Sequence, residues 1–243
     1  MSGTPNEVLL VTPVWNDSSR LAVFGKTLAR ALAASSLPIR WVIADDGSTG
    51  DEATLLAALR NEFAGVFPDV ELHFAAHHHG KGSVVREAWA LAPDAAWLAF
   101  VDADGSVTAE EMLGLIEKAI SAGKSALGVR KRTATTTIVE SPWRGFAHRG
   151  FLLAAHVLLD LQCEDVQCGA KVINGEDYRG IAHRLCENGL AFDSELLATL
   201  KWSGADWIEV PVNWIEKKGG KVKPLRDGWG MLAALLRIRS RDW

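Results

Sequence analysis

Between residues 8 and 129, short apolar runs alternate with longer amphipathic stretches, and no other feature constrains this chain as much. The runs are Val8–Val14, Ile39–Ala44, Val70–Ala75, Trp97–Val101 and Ala126–Val129. Each has the length of a strand, and turn residues follow the first four. A loop at Trp15-Asn16-Asp17-Ser18 leads into an amphipathic stretch that ends at Ala34. Thr49-Gly50-Asp51-Glu52 reads as a capping box for the next helix, residues 83–91 form a third helix, and Thr108-Ala109-Glu110-Glu111 caps a fourth. Strands and helices in this rhythm dictate an α/β fold with a mainly parallel central sheet flanked by helices.

Open parallel sheets bind ligands outside the carboxyl ends of their strands. Polar clusters fall at four such ends: Trp15–Asp17, Asp45–Ser48, His77–Lys81 and Asp102–Asp104. The last is the most informative chemically. Asp102-Ala103-Asp104 places two carboxylates one residue apart, on one side of the chain if it stays extended. Such a pair is common in solvated turns, but at a sheet edge it suits a hard cation. Mg²⁺ takes one or two carboxylates and completes its shell with substrate phosphate oxygens, and Mn²⁺ accepts similar ligands.

Gly80-Lys81-Gly82-Ser83 fits neither familiar glycine-rich loop. The spacing of a Walker loop is absent, and a Rossmann fingerprint belongs after the first strand rather than the third. The glycines permit close approach to a ligand, with Lys81 and Arg86 adding positive charge; the plainer reading is a tight strand-to-helix turn.

The second half is less regular. Arg130-Lys131-Arg132 opens a Thr-rich loop, and a helix is predicted over 142–161. A strand is expected within 165–173, helices over 176–188 and 192–202, an extended segment over 207–214 and a final helix after a Gly-Gly-Lys turn.

The net charge of −4 gives no reason to expect a nucleic-acid partner. From Glu216 to Trp243, however, eight Lys/Arg stand against three Asp/Glu, which fits either a solvated helix face or contact with phosphate or an anionic membrane. Met1–Glu7 lacks the pattern of a signal peptide, and Phe151–Leu161 is too short to span a bilayer. The three cysteines form no CxxC pair and are expected to be inert core thiols, so a cytoplasmic setting is the simplest. Residues 143–161 and 229–241 are helical stretches with apolar faces and flanking arginines. They pack into a core or lie in a membrane interface, so peripheral contact at the cytoplasmic membrane face stays open.

The polar clusters also carry a family resemblance. Pro13-Val14-Trp15-Asn16-Asp17, Asp45-Asp46-Gly47-Ser48, Gly80-Lys81-Gly82 with Arg86, and Asp102-Ala103-Asp104 have the order and spacing of family-2 nucleotide-sugar glycosyltransferases. Asp165–Lys171, Ala191–Leu197 and Glu209–Trp214 look like the polyprenyl-phosphate branch. With residues 220–224 and 236–239, the likeness is closest to dolichyl-phosphate glucosyltransferases, with the mannosyltransferases next. Two departures are Trp15-Asn16-Asp17, where the family often has Tyr-Asn-Glu, and the lack of the hydrophobic segment that membrane-anchored members carry.

The resemblance implies a Rossmann-like GT-A fold forming one domain over residues 1–243, with a nucleotide-sugar half to about residue 129 and an acceptor half from about 130. It assigns the donor to Pro13, Trp15, Asn16, Asp45, Asp46, Lys81, Asp102, Ala103 and Lys221. The DXD carboxylates Asp102 and Asp104 become metal ligands for Mg²⁺ or Mn²⁺, with Asp104 the principal one. Arg130 or Arg132, and Lys221 or Lys223, meet phosphates of donor or acceptor.

A metal-assisted displacement at the anomeric carbon follows, the cation neutralising the departing diphosphate. A phosphate monoester acceptor has its second pKa at about 6, so it needs no strong base. A hydroxyl acceptor does, and Asp165 is the first candidate, with Glu164 the weaker one. Arg130, Lys131, Arg132, Arg144 and Arg149 suit a phosphate acceptor. The leading expectation is therefore an inverting transferase moving a hexose from a UDP-glucose- or GDP-mannose-class donor to a polyprenyl phosphate. Two alternatives remain: a family-2 enzyme with a soluble sugar or phosphate acceptor, and a nucleotide-sugar-binding protein without transferase activity.

Overall fold

The computed structural model describes residues 7–217, 219 and 224–241. Among these residues nine strands form: β1 (Val8–Val14), β2 (Ile39–Asp45), β3 (Val70–Phe74), β4 (Trp97–Val101), β5 (Ser125–Val129), β6 (Ile138–Val139), β7 (Ala170–Asn174), β8 (Trp207–Pro211) and β9 (Trp214–Ile215). The helices are α1 (Ser18–Ala34), α2 (Glu52–Ala64), α3 (Lys81–Trp89), α4 (Ala109–Ala122), α5 (Pro142–Leu159), α6 (Gly175–Ile181), α7 (Phe192–Trp202) and α8 (Pro224–Arg239).

Seven strands make one sheet in the order β3-β2-β1-β4-β7-β5-β8, while β6 and β9 pair separately. Within the large sheet only β7 runs antiparallel to its neighbours, with Phe100 opposite Lys171 and Val101 opposite Ala170. The five strands expected in the first half form where the apolar runs stand. Both faces of the sheet are covered, as a parallel sheet requires. Strand alternation divides the core: Val8 and Leu10 of β1, Trp41 and Ile43 of β2 and Ala99 of β4 join the core cluster that contains α1, α2 and α4 side chains. Leu9, Val11, Val42, Leu98 and Phe100 join the cluster containing α3, α5, α7 and α8 side chains.

Two predicted caps have different outcomes. Thr108 caps α4, its hydroxyl accepting from the Glu111 backbone N–H. Thr49 does not cap α2, whose N-cap is Asp51. Glu52 instead accepts from the Ser18 backbone N–H at 3.0 Å, tying α2 to the head of α1. In the second half, the strand expected over 165–173 begins only at Ala170; before it Asp165 accepts from the Gln167 N–H at 2.9 Å and pairs with Arg130. The helix expected to run to residue 188 ends at Ile181, followed by a 3-10 turn over Ala182–Arg184. Beyond it, the buried Glu195 carboxylate accepts from the backbone N–H groups of Cys186 and Glu187, which holds that segment out of a helix. Arg237 and Arg241 clasp Glu187 from the C-terminal helical end, each at 2.8 Å.

Candidate active site

The ends of β1 and β2 are fastened together. Asn16 adopts φ 47°, a left-handed conformation that asparagine tolerates better than most residues. Its backbone N–H donates to Ser48 Oγ at 2.7 Å, and its Oδ1 accepts from the Thr49 N–H at 2.8 Å. Asp45 and Asp46 are almost fully buried. Asp45 accepts from the Ser48 N–H, whereas Asp46 accepts from His79 N at 2.9 Å and Gly80 N at 2.9 Å, with His78 Nδ1 at 2.8 Å. These two carboxylates therefore set the loops at the carboxyl ends of β1 and β2. Trp15, just beyond β1, is stacked on His78 with ring centroids 4.0 Å apart. Pro13 is part of β1, partly buried beside Ala44.

The glycine loop departs from expectation. A Cβ on Gly80 would lie 2.6 Å from the Asn188 carbonyl oxygen, and one on Gly82 2.4 Å from Phe192 Cβ. The glycines thus admit the chain's own 187–192 segment against the first turn of α3, which fits the plainer reading of a tight strand-to-helix turn. Lys81 turns inward as well. Its Nζ lies 2.9 Å from Asp102 Oδ1 and 3.3 Å from Asp193 Oδ2, above the Phe100 ring. Burial works against the ammonium charge, but the two carboxylates outweigh it and hold the Lys81 pKa well above the ordinary range.

Strand β4 ends at Val101, and residues 103 and 104 form a turn rather than continuing extended. Ala103 anchors that turn in the core. Asp104 accepts from the Ser106 N–H at 2.8 Å and lies 3.4 Å from Arg20 NH1, while Arg20 makes its closer pair with Asp17. Desolvation raises the Asp102 pKa; Lys81 opposes this, and the nearby Asp104 charge reinforces it. The Asp102 side chain nevertheless remains 41% exposed and Asp104's 20%, so both carboxylates are reachable.

Gly169 sets the position of Asp102. Its carbonyl accepts from the Asp102 N–H at 2.8 Å, and a Cβ there would fall 2.1 Å from Asp102 Oδ2. Gly169→Ala is expected to keep the fold and displace this carboxylate, lowering turnover by about 10²-fold. Turnover measured beside the melting temperature checks this; parental turnover refutes it.

The acceptor-side expectations need correction. Asp165, the nominated base, is 1% exposed and paired twice with Arg130, Oδ2 to Nε at 2.6 Å and Oδ1 to NH2 at 2.8 Å. Burial alone would raise its pKa, yet the Arg130 charge and hydrogen bonds outweigh burial and hold it at about 2. So acidic and enclosed a carboxylate is a poor proton acceptor. Arg130 is occupied by the same pair, by His148 Nδ1 at 3.0 Å and by the Trp214 ring, so it does not present a guanidinium to a phosphate. Burial and the neighbouring Arg130 lower the His148 pKa. Glu164 pairs with Lys131, Arg132 is exposed, and Lys221 and Lys223 lie outside the described residues.

Two buried charges at the site were not singled out from sequence. Lys171 of β7 is fully buried and bonds Asp193 Oδ1 at 2.7 Å and the Cys168 carbonyl at 2.8 Å. Asp193 thus joins Lys171 to Lys81. A lysine inside an otherwise apolar strand was the available signal, because lysine is almost never fully buried without a partner.

With these positions established, comparison with known proteins identifies the family. The model of Glycosyl transferase family 2 matches residues 10–173, from β1 through β7. The chain belongs to that family. This glycosyltransferase is 25% identical to a dolichyl-phosphate beta-glucosyltransferase of Dictyostelium discoideum, over 96% of this chain and 73% of that protein. It is 26% identical to the enzyme of that description from Saccharomyces cerevisiae, over 95% and 73%. Among solved structures it resembles glucosyl-3-phosphoglycerate synthase of Mycobacterium tuberculosis in complex with Mn²⁺, UDP and glucosyl-3-phosphoglycerate. That likeness has a TM-score of 0.68 at 14% identity, covering 96% of this chain and 80% of that one, and it shows the shared GT-A fold.

The donor set of this glycosyltransferase fits a hard divalent cation. Asp102 and Asp104 present partly exposed carboxylates one residue apart, and the Asp104 charge adds to the desolvation that raises the Asp102 pKa. Among the described residues no group of three or more His, Cys, Asp or Glu is placed to hold a metal ion, so two carboxylates here suit a cation whose shell is completed by phosphate or water oxygens.

Proposed function

We propose that this glycosyltransferase moves a hexose, with inversion, from a nucleotide-diphospho-sugar of the UDP-glucose or GDP-mannose class to a polyprenyl phosphate. The observation carrying the acceptor is an apolar ridge on α5. Trp143, Phe146, Leu153 and Val157 share one side of that helix, and all are more than half exposed. Helix α8 packs on α5 and adds the exposed Trp229 and Leu236. Arg149 is exposed on α5 too, giving the mixture of apolar surface and positive charge that suits a lipid phosphate and an anionic membrane surface. His148 connects this helix to Arg130 just beyond β5, whose carboxyl end shares a sheet edge with Asp102. No helix among the described residues is long and apolar enough to cross a membrane. Membrane contact in this reading is therefore peripheral, through the ridge.

In this reading the donor lies over the ends of β1–β4, in the half to about residue 129, and the acceptor approaches from the rest of the chain. Asp102 and Asp104 would hold Mg²⁺ or Mn²⁺, which when bound supplies positive charge for the leaving diphosphate. Trp15 and the loops fixed by Asn16, Asp45 and Asp46 orient the nucleotide. A phosphate acceptor is mostly ionised at neutral pH, given a second pKa of about 6, and serves as its own nucleophile. That matches a site whose Asp165 is locked by Arg130. The dolichyl-phosphate beta-glucosyltransferases among its relatives support the same acceptor class.

The test offers radiolabelled UDP-glucose and GDP-mannose with Mn²⁺ to polyprenyl phosphate, a soluble phosphate monoester and a free sugar. The expected product is a labelled lipid carrying an inverted anomeric linkage. Equal transfer to a soluble acceptor overturns the lipid assignment, and donor binding with no transfer to any of the three overturns the reaction.

A further inference from the structure

Four charges alternate beneath the candidate cation site: Asp102, Lys81, Asp193 and Lys171. Lys81 Nζ bridges Asp102 at 2.9 Å and Asp193 at 3.3 Å, while Lys171 Nζ holds the other Asp193 oxygen at 2.7 Å. Both ammonium groups sit by the Phe100 ring, at 4.4 and 5.4 Å from its centroid. Regular secondary structure carries both partners: Lys171 lies opposite Phe100 in the β4–β7 register and Asp193 occupies the first turn of α7. That helix end favours an anion.

We propose that Asp193 is the positioning residue that lets Lys81 yield Asp102 to a divalent cation. The proposal rests on the reading of Asp102 and Asp104 as cation ligands. Lys81 is nearly buried and must keep a carboxylate partner wherever it points. Before a cation arrives it neutralises Asp102. When Asp102 turns to the cation, Asp193 still satisfies the ammonium, so little is lost by the exchange. Without Asp193, Lys81 has Asp102 alone and competes with the cation for it. Asp193 itself is no candidate base: burial alone would raise its pKa, but Lys171 and Lys81 outweigh burial and keep it ionised.

Because removing Asp193 alone strands a buried Lys171 charge, the test removes both partners. Mn²⁺ affinity is measured by the EPR signal of free Mn²⁺, with UDP saturating, on the wild type, D193N/K171M, K81M and the triple variant K81M/D193N/K171M. The double variant is expected to bind Mn²⁺ about tenfold more weakly, K81M at least as tightly as the wild type, and the triple variant to regain wild-type affinity because the competing ammonium is gone. A purely structural pair predicts no such rescue. A double variant within about twofold of wild type, a triple variant as weak as the double, or a K81M chain weaker than wild type overturns the proposal. A wild-type chain that binds no Mn²⁺ overturns the cation reading and the proposal with it. Wild-type binding with an unaltered double variant overturns the proposal alone.

Discussion

Asp104→Ala is expected to fold as the parent does while transfer falls by about 10³-fold or more, since a cation ligand contributes several kcal/mol of charge stabilisation to a departing diphosphate. The fold survives because little of it depends on this carboxylate. Arg20 keeps its closer contacts with Asp17, and its 3.4 Å contact with Asp104 is the weaker one. The Ser106 N–H loses its acceptor, a cost of about 1–3 kcal/mol if no water replaces it. At roughly 2–4 °C per kcal/mol for a chain of this size, the melting temperature drops by only several degrees. Turnover at saturating donor and Mn²⁺, with a thermal melt on the same sample, checks both statements. Undiminished turnover removes Asp104 from the cation site.

The sheet edge was legible because each polar cluster follows an apolar run directly, so sequence order alone places it at a carboxyl end. Residues that act through distant partners were less legible. Asp165 looked like a free base because nothing in its neighbourhood reveals Arg130, 35 positions away, as its partner. The loop at Gly80 looked like a ligand cradle, since the 187–192 segment that fills the space comes from the other half of the chain. Local chemistry failed at Thr49 for the same reason: Glu52 found a better partner in Ser18 than its own helix start. Lys171 and Asp193 stood within segments that already suggested the family, yet their roles appear only once β7 inserts Lys171 beside β4 and the first turn of α7 brings Asp193 against it.

Arg130→Met tests the pair that replaced the expected base. The substitution leaves Asp165 in a pocket that is 1% exposed without its guanidinium, and breaking a buried ion pair from one side costs about 3–5 kcal/mol. At roughly 2–4 °C per kcal/mol, the melting temperature at pH 7 falls by about 10 °C. The pH dependence identifies the cause. In the parent, Asp165 titrates at about 2, below its unfolded value, so its contribution is complete above the unfolded pKa and disappears as pH falls through 2. In the variant, burial is the largest remaining influence and pushes the same carboxyl upward against the weaker pull of His148 and Lys171, and its penalty vanishes once Asp165 is protonated in both states. The stability gap between parent and variant is therefore widest near neutrality, begins to close above about pH 4 as the variant's raised carboxyl takes up its proton, and closes further from about 4 towards 2 as the parent's contribution is lost. Denaturant melts across that range measure it. A gap independent of pH assigns the loss to Arg130 packing over Trp214 instead. The double variant R130M/D165L, which strands no charge, is expected to recover most of the stability at pH 7. If D165L restores nothing, the Asp165 charge is not what Arg130 is there to balance.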